Sequence, residues 1–266
     1  MLDRFNRRIT YLRVSVTDRC NLRCTYCMPE EGIVLLKHED ILSFDEIVDF
    51  IKTAVDLGVN KVRLTGGEPL VRKGFVDLVK MIASIPGIED LSMTTNAILL
   101  SQYAQQIWNA GLKRLNVSLD TINPDRFKKL TRGGDLNQVI DGLMLAKKIG
   151  FRPVKINCVI DNSKDEPDAD DVKNFAEENG FEVRFIPKMD LAKGIFGQVE
   201  GGDGGNCSQC NRIRLTANGF VKPCLFSDLG YSIRELGAKE AIERAIEFKP
   251  QSGSLNRKEK FYNIGG

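Results

Sequence analysis

Tyr11-Leu12-Arg13-Val14-Ser15-Val16-Thr17-Asp18-Arg19-Cys20-Asn21-Leu22-Arg23-Cys24-Thr25-Tyr26-Cys27 is the stretch from which the rest of the chain is read. Its first six residues alternate apolar and polar side chains, the period of a strand with one apolar face. Its last eight hold three cysteines in the spacing C-x3-C-x2-C. Three thiolates this close can hold a soft metal centre, and they leave a four-site iron–sulfur cluster one protein ligand short. An iron without a protein ligand is an open reaction site. The competing reading is zinc or structural thiols, but zinc takes four ligands and no fourth Cys or His stands nearby.

The alternation recurs, with strands predicted at 11–16, 61–65, 90–95, 114–119, 154–159 and 182–186. Helical periodicity lies between them, at 44–57, 74–84, 101–110, 124–130, 137–149 and 168–178. Ser43 and Glu46 have the spacing of a capping box, and Gly58, Gly111, Gly150 and Gly180 stand just past helices. Six strand–helix units predict a parallel sheet, two units short of a closed eightfold barrel. The expected fold is therefore an α/β incomplete (βα)6 barrel of TIM type, with a flat doubly wound sheet as runner-up.

Parallel strands covered on both faces are normally apolar throughout. These are not. Arg13, Ser15 and Thr17 oppose Leu12, Val14 and Val16, and the same split places Arg63, Thr94, Asn116, Ser118, Asp120, Lys155, Asn157 and Arg184 on polar faces. With helices over the apolar face, the polar face must line a hydrated or ligand-filled lumen. The cations Arg13, Arg63, Lys155 and Arg184 repel one another there, and a polyanion such as a phosphate chain would offset that. The plainer alternative is a solvent-facing sheet carrying ordinary surface charge.

Composition narrows the function classes. The 266 residues are 42% hydrophobic, enough for one large domain with an extension, and the net charge of +2 is too small for general nucleic-acid binding. No apolar run is long enough to cross a bilayer, and the basic start lacks a signal-type apolar segment, so a soluble cytoplasmic protein without membrane or nucleic-acid partners is expected. Seven cysteines, six of them in two triplets, favour metal ligation over disulfides. The single histidine, His38, leaves no serine–histidine triad unless it takes part itself.

Two further motifs follow. Thr65-Gly66-Gly67-Glu68-Pro69 ends the second strand; its glycines admit close backbone approach to a ligand, and Glu68 can accept hydrogen bonds from an amine. Cys207-x2-Cys210-x13-Cys224 is a second three-thiol set, with a zinc knuckle completed by Asp228 or a distant group as the alternative. Arg212 and Arg214 share a face beside it and extend the basic lumen. Cys158 falls on an apolar face and reads as a buried, inert thiol. The expected division is a barrel over 1–189, a glycine-rich linker over 190–206, and a region over 207–266 with a helix near 235–248 and a flexible polar tail from 249.

Together the first triplet with Tyr26 and the Gly-Gly-Glu-Pro turn resemble the radical S-adenosylmethionine (SAM) enzymes. Over nearly the whole chain, residues 17–29, 64–70, 116–121, 155–159, 183–186 and 210–215 and the terminal Gly265-Gly266 resemble the GTP 3′,8-cyclase (MoaA-type) family of molybdenum cofactor biosynthesis. That resemblance implies two [4Fe-4S] clusters, one on Cys20, Cys24 and Cys27 and one on Cys207, Cys210 and Cys224. It implies SAM at the open iron of the first, contacted by Tyr26, Gly67, Ser118 and Met189 together with Glu68. It implies GTP bound by Arg13, Arg63, Thr94, Lys155, Arg184, Arg212 and Arg214, with guanine at the second cluster. The implied reaction cleaves SAM to a 5′-deoxyadenosyl radical, which takes hydrogen from ribose C3′ before the sugar closes on guanine C8. Gly265 and Gly266 would enter the active site. An electron donor, a downstream cyclic pyranopterin monophosphate synthase and a homodimer are the implied partners. The alternatives are a radical SAM enzyme acting on another substrate, such as a peptide, and a non-catalytic metal-binding derivative. Three departures stand out: a short segment between Met189 and Cys207, Ala97 in place of the glycine in Thr-Thr-Asn-Gly, and Asn6 in place of the glycine in Phe-Gly-Arg.

Overall fold

The computed structural model of the chain describes residues 1–161, 163–258 and 261–264, apart from the side chains of 262 and 263. The predicted Gly265 and Gly266 lie outside the described residues. Six strands appear as β1 (Tyr11–Ser15), β2 (Lys61–Thr65), β3 (Asp90–Thr95), β4 (Arg114–Ser118), β5 (Val154–Ile160) and β6 (Glu182–Pro187). Six helices follow them in turn or in pairs: α1 (Phe44–Asp56), α2 (Phe75–Ala83), α3 (Leu100–Asn109), α4 (Pro124–Thr131), α5 (Leu136–Ile149) and α6 (Pro167–Asn179). Local chemistry sets their ends. Ser43 and Glu46 form the reciprocal capping box of α1, Asn123 caps α4 ahead of Pro124, and Gly150 closes α5 at φ 110°.

The sheet extends beyond the expected six strands. Among the described residues nine strands run in the order β6-β5-β4-β3-β2-β1-β7-β8-β9, with β7 (Arg212–Leu215), β8 (Phe220–Lys222) and β9 (Tyr231–Ser232) added at the β1 edge. β7 is parallel to β1, whereas β8 and β9 are antiparallel additions. The helix expected near 235–248 is split at Gly237 into α7 (Ile233–Leu236) and α8 (Ala238–Glu247), and a short α9 spans Phe261–Ile264. α8 packs on α1 and on the outer side of β8.

Apolar residues of the parallel strands pack under the helices: Leu12, Val14, Val62, Leu64, Leu115 and Ile156 are all fully buried. The other face curls round a lumen. In a flat sheet neighbouring strands are about 4.8 Å apart, so β1 and β6 would be separated by roughly 24 Å. Here Arg13 of β1, Thr94 of β3, Ser118 of β4, Asn157 of β5 and Pro187 of β6 line one cavity, and Arg184 Nη1 on β6 donates to Asn116 Oδ1 on β4 at 3.3 Å.

Segment 190–206 is an ordered strap. It crosses from β6 toward β7, exchanging backbone hydrogen bonds between Phe185 and Glu200 at 3.1 and 3.2 Å. Arg184 Nε donates to Gly201 O at 3.1 Å and Arg212 Nη2 to Asp203 O at 2.6 Å, so both sides of the gap hold it. The expected flexible tail is also corrected over 249–258. Ser254 N donates to Phe226 O at 3.0 Å and Asn256 N to Leu191 O at 2.7 Å, while Lys249 and Asn256 are buried. Polar side chains read as solvent-seeking are used here to satisfy buried backbone carbonyls.

Candidate active site

Strand direction places the site. The loops after β1 to β6 gather at one rim of the lumen, and Cys20, Cys24 and Cys27 lie in the first of them. Cys207 and Cys210 precede β7, and Cys224 follows the antiparallel β8, so the second triplet lies at the opposite rim. Five residues of β1 at about 3.3 Å each put roughly 17 Å between the ends. A single cavity of about 320 Å³ is lined by all six of these cysteines, within the size range of small-molecule sites.

The first triplet is tightly braced. Cys27 N and Met28 N both donate to Cys24 O at 3.0 Å, and Arg132 Nη1 donates to Arg23 O at 3.0 Å and Met28 O at 2.9 Å. Tyr26 Oη donates to Asp120 Oδ2 at 2.8 Å, and Asp120 Oδ1 accepts from Val159 N at 2.8 Å. The cysteine loop is thereby tied to β4 and β5. Burial, then Asp120 and Cys20, pushes Cys24 up to about 12. Burial and the two other cysteines push Cys27 up as well, and burial raises Cys20. Three thiols that resist ionisation together become thiolates only beside a strong positive charge, which an iron centre supplies. Among the described residues no three His, Cys, Asp or Glu donors converge as a single ion requires. With no fourth His or Cys beside them in sequence, the three cysteines suit a four-iron cluster left one protein ligand short.

The glycines of the Gly-Gly-Glu-Pro turn have a different neighbour from the expected one. A Cβ on Gly67 would lie 2.3 Å from Arg19 O, and one on Gly66 2.5 Å from Thr17 O. Gly67 N donates to Thr17 O and Glu68 N to Arg19 O, each at 2.8 Å. They let the turn pack backbone to backbone on the cysteine loop, while Gly67 still lines the cavity. Glu68 is fully buried beneath this junction and outside the cavity lining. Its Oε1 accepts from Leu70 N at 3.1 Å and Thr95 Oγ1 at 2.8 Å, and Oε2 from Asn96 N at 2.7 Å. Its carboxylate braces the loops.

The basic residues form a registered row. Arg63, Arg13 and Arg214 face one another across β2, β1 and β7. Arg13, Arg212 and Arg214 line the cavity with Thr94, Ser118, Tyr26 and Met189. Arg63, Lys155 and Arg184 do not: Arg63 donates to Ser92 Oγ at 3.3 Å, Lys155 pairs with Glu182, and Arg184 holds Asn116 and the strap. Burial first, then mutual repulsion, lowers the guanidinium pKa of Arg63, Arg212 and Arg214. Among the described residues Arg13 Nε and Arg212 Nε are buried donors without a hydrogen-bond partner, suited to an anion, and Asn157 Oδ1 beside them is an unpartnered acceptor.

Sequence reading missed Tyr11 in this group. Its ring lies 5.7 Å from the Arg13 guanidinium, 5.4 Å from that of Arg63 and 5.8 Å from that of Arg212, so one ring meets three cations. The signal was present, since Tyr11 is two residues before Arg13 on the same strand face. Arg7 was missed with no such signal: it pairs with Asp3 at 2.6 Å and donates to Cys207 O at 2.7 Å and Pro250 O at 2.7 Å. His38 does not line the cavity, and Cys158 is fully buried, as expected.

Comparison with known proteins places these features among relatives. Residues 14–176 match the radical SAM superfamily. A GTP 3′,8-cyclase of Petrotoga mobilis is 37% identical over 313 aligned positions, covering 98% of this chain and 97% of that protein. One of Alkaliphilus metalliredigens is 39% identical over 305 positions, covering 96% and 95%. Both alignments are longer than the 266 residues of this chain, so these relatives carry segments with no counterpart here. Streptococcus suis SuiB bound to S-adenosylmethionine shares the fold with a TM-score of 0.67 at 15% identity, covering 91% of this chain and 64% of that longer protein.

Proposed function

Because this chain belongs to the radical SAM superfamily and, within it, to the GTP 3′,8-cyclase family, we propose that it converts GTP to (8S)-3′,8-cyclo-7,8-dihydroguanosine 5′-triphosphate, the first step of molybdenum cofactor biosynthesis. The observation that carries this reading is one cavity with a cysteine triplet at each end and a row of guanidiniums between. Superfamily membership implies a [4Fe-4S] cluster and SAM; we assign them to Cys20, Cys24 and Cys27, with a second cluster on Cys207, Cys210 and Cys224.

When bound, the first cluster and SAM supply the 5′-deoxyadenosyl radical that takes hydrogen from ribose C3′. The chain's own residues hold the reactants. Tyr26, Gly67, Ser118 and Met189 face SAM at the first rim, and Glu68 acts from beneath by fixing the turn. Arg13, Arg212, Arg214 and Thr94 bind GTP directly, backed by Arg63 and Arg184. Lys155 reaches GTP only by leaving Glu182. The carboxylate of Asp120 orients Tyr26 through its hydroxyl. Gly265 and Gly266 are assigned to turnover. The strap 190–206 walls the cavity between the barrel 1–189 and the cluster-bearing region 207–266. An external donor supplies the electron, and a downstream cyclic pyranopterin monophosphate synthase takes the product. Among the described residues no helix is long and apolar enough to cross a membrane.

Anaerobic incubation with SAM, GTP and a reductant tests the reading. Both 5′-deoxyadenosine and the cyclised nucleotide are expected, and Cys24→Ala should abolish both. SAM cleavage without any cyclised nucleotide, at saturating GTP, would overturn the substrate assignment.

A further inference from the structure

Lys249 is 1% exposed at the end of α8 and lines the cavity at the second rim. Its Nζ donates to Arg212 O at 2.7 Å and to Pro223 O at 2.6 Å. Arg212 stands two residues after Cys210, and Pro223 immediately precedes Cys224. One ammonium therefore joins the two segments that carry these thiols. Lys249 lines the same cavity as Cys207, Cys210 and Cys224.

Two neutral carbonyls leave the ammonium's charge unbalanced. A buried charge is costly unless paired, and the comparison inside this protein is direct: buried Arg7 has Asp3 as its partner. Among the described residues no carboxylate pairs with Lys249, and Arg212, whose carbonyl it binds, is itself a cation. The anionic chemistry within reach is the cysteine triplet, which carries negative charge when it ligates a metal centre.

We infer that Lys249 is the fixed counter-charge of the second cysteine site, fastening the Cys210 and Cys224 segments together and favouring the reduced, more negative state of the iron–sulfur centre held there. The inference rests on reading the second triplet as a cluster site. Lys249 is a positioning residue under it. The step concerned is uptake of one electron from an external reductant by that centre, with no bond or proton moving. A nearby positive charge stabilises the extra electron, so removing the charge lowers the reduction potential.

The test uses reconstituted full-length protein, wild type, Lys249→Met and Lys249→Arg, titrated anaerobically with dithionite and followed by electron paramagnetic resonance. Iron is counted in parallel, and the first centre serves as internal reference. In Lys249→Met the second midpoint should fall by a tenfold change in its one-electron equilibrium, about 59 mV, while the first stays put. Lys249→Arg should stay near wild type. A fully loaded Lys249→Met with an unshifted second midpoint overturns the inference. If Lys249→Met loses the second centre, retention in Lys249→Arg supports the charge role, and loss in both overturns it. Wild type binding about four irons per chain instead of about eight would overturn the cluster reading itself, separately from any role of Lys249.

Discussion

Glu68 is a fully buried carboxyl with three donors, and the balance of those effects is measurable. Desolvation dominates and pushes it up to about 7, although Asn96 N, Leu70 N and the Thr95 hydroxyl all favour its charged form. Above its unfolded value of 4.5 the unfolded chain has released a proton that the folded chain still holds. Stability is therefore full below pH 4.5 and falls as pH rises through about 7, by up to about 3 kcal/mol. Urea unfolding of metal-free protein at pH 5 and pH 8 should show this fall. Glu68→Gln carries a constant penalty of about 1–3 kcal/mol for an ill-placed amide, but lacks the slope that Glu68 adds. Parallel pH profiles for the two proteins would remove Glu68 as its source.

At the scale of elements, two departures from the family pattern share a backbone cause. Asn6 and Ala97, where the family resemblance implies glycine, both have positive φ, 60° and 62°. Asn tolerates this conformation, whereas Ala is strained by about 1–2 kcal/mol. Against that, glycine at 97 would lose a fully buried methyl, about 0.8 kcal/mol, and gain unfolded-state freedom worth about 0.5–1 kcal/mol. These effects nearly cancel, so Ala97→Gly should change stability by less than about 1 kcal/mol. Ala97→Val adds branching to a left-handed residue with no space and should cost several times more. Thermal unfolding of both variants checks the order; equal tolerance of valine and glycine would sink it. The strands were legible to within one residue because alternation is a local signal. β7 beside β1 was not, since pairing about 200 residues apart leaves no mark on either segment. Tyr11 was legible from its face, and Lys249 was hidden in a segment whose polar composition resembles a solvated tail. Glu68 was legible as an acid at the site and not as a brace, because two of its three partners, Thr95 and Asn96, come from the end of β3, far from it in sequence.

The whole molecule is organised by direction. Parallel strands carry one cysteine set past their C-terminal ends, and the β7–β8 hairpin returns the other to the opposite rim. The Arg63–Arg13–Arg214 row lies between, about midway along β1. Neither end needs the other in order to fold its ligands: the first triplet is held by Arg132, Asp120 and the Gly-Gly turn, and the second by Arg7 and Lys249. The two ends should therefore fail separately. Cys210→Ala removes a proposed ligand at the opposite end of β1 from the first triplet and leaves every brace of that loop in place. It should retain about half the iron and still release 5′-deoxyadenosine from SAM, because the first rim is intact. If the second triplet holds the base as proposed, the cyclised nucleotide should fall at least tenfold relative to 5′-deoxyadenosine. Chromatography of both products from one reaction gives the ratio. A ratio equal to wild type would mean that the guanidinium row alone positions the nucleotide and that the second triplet serves only the fold.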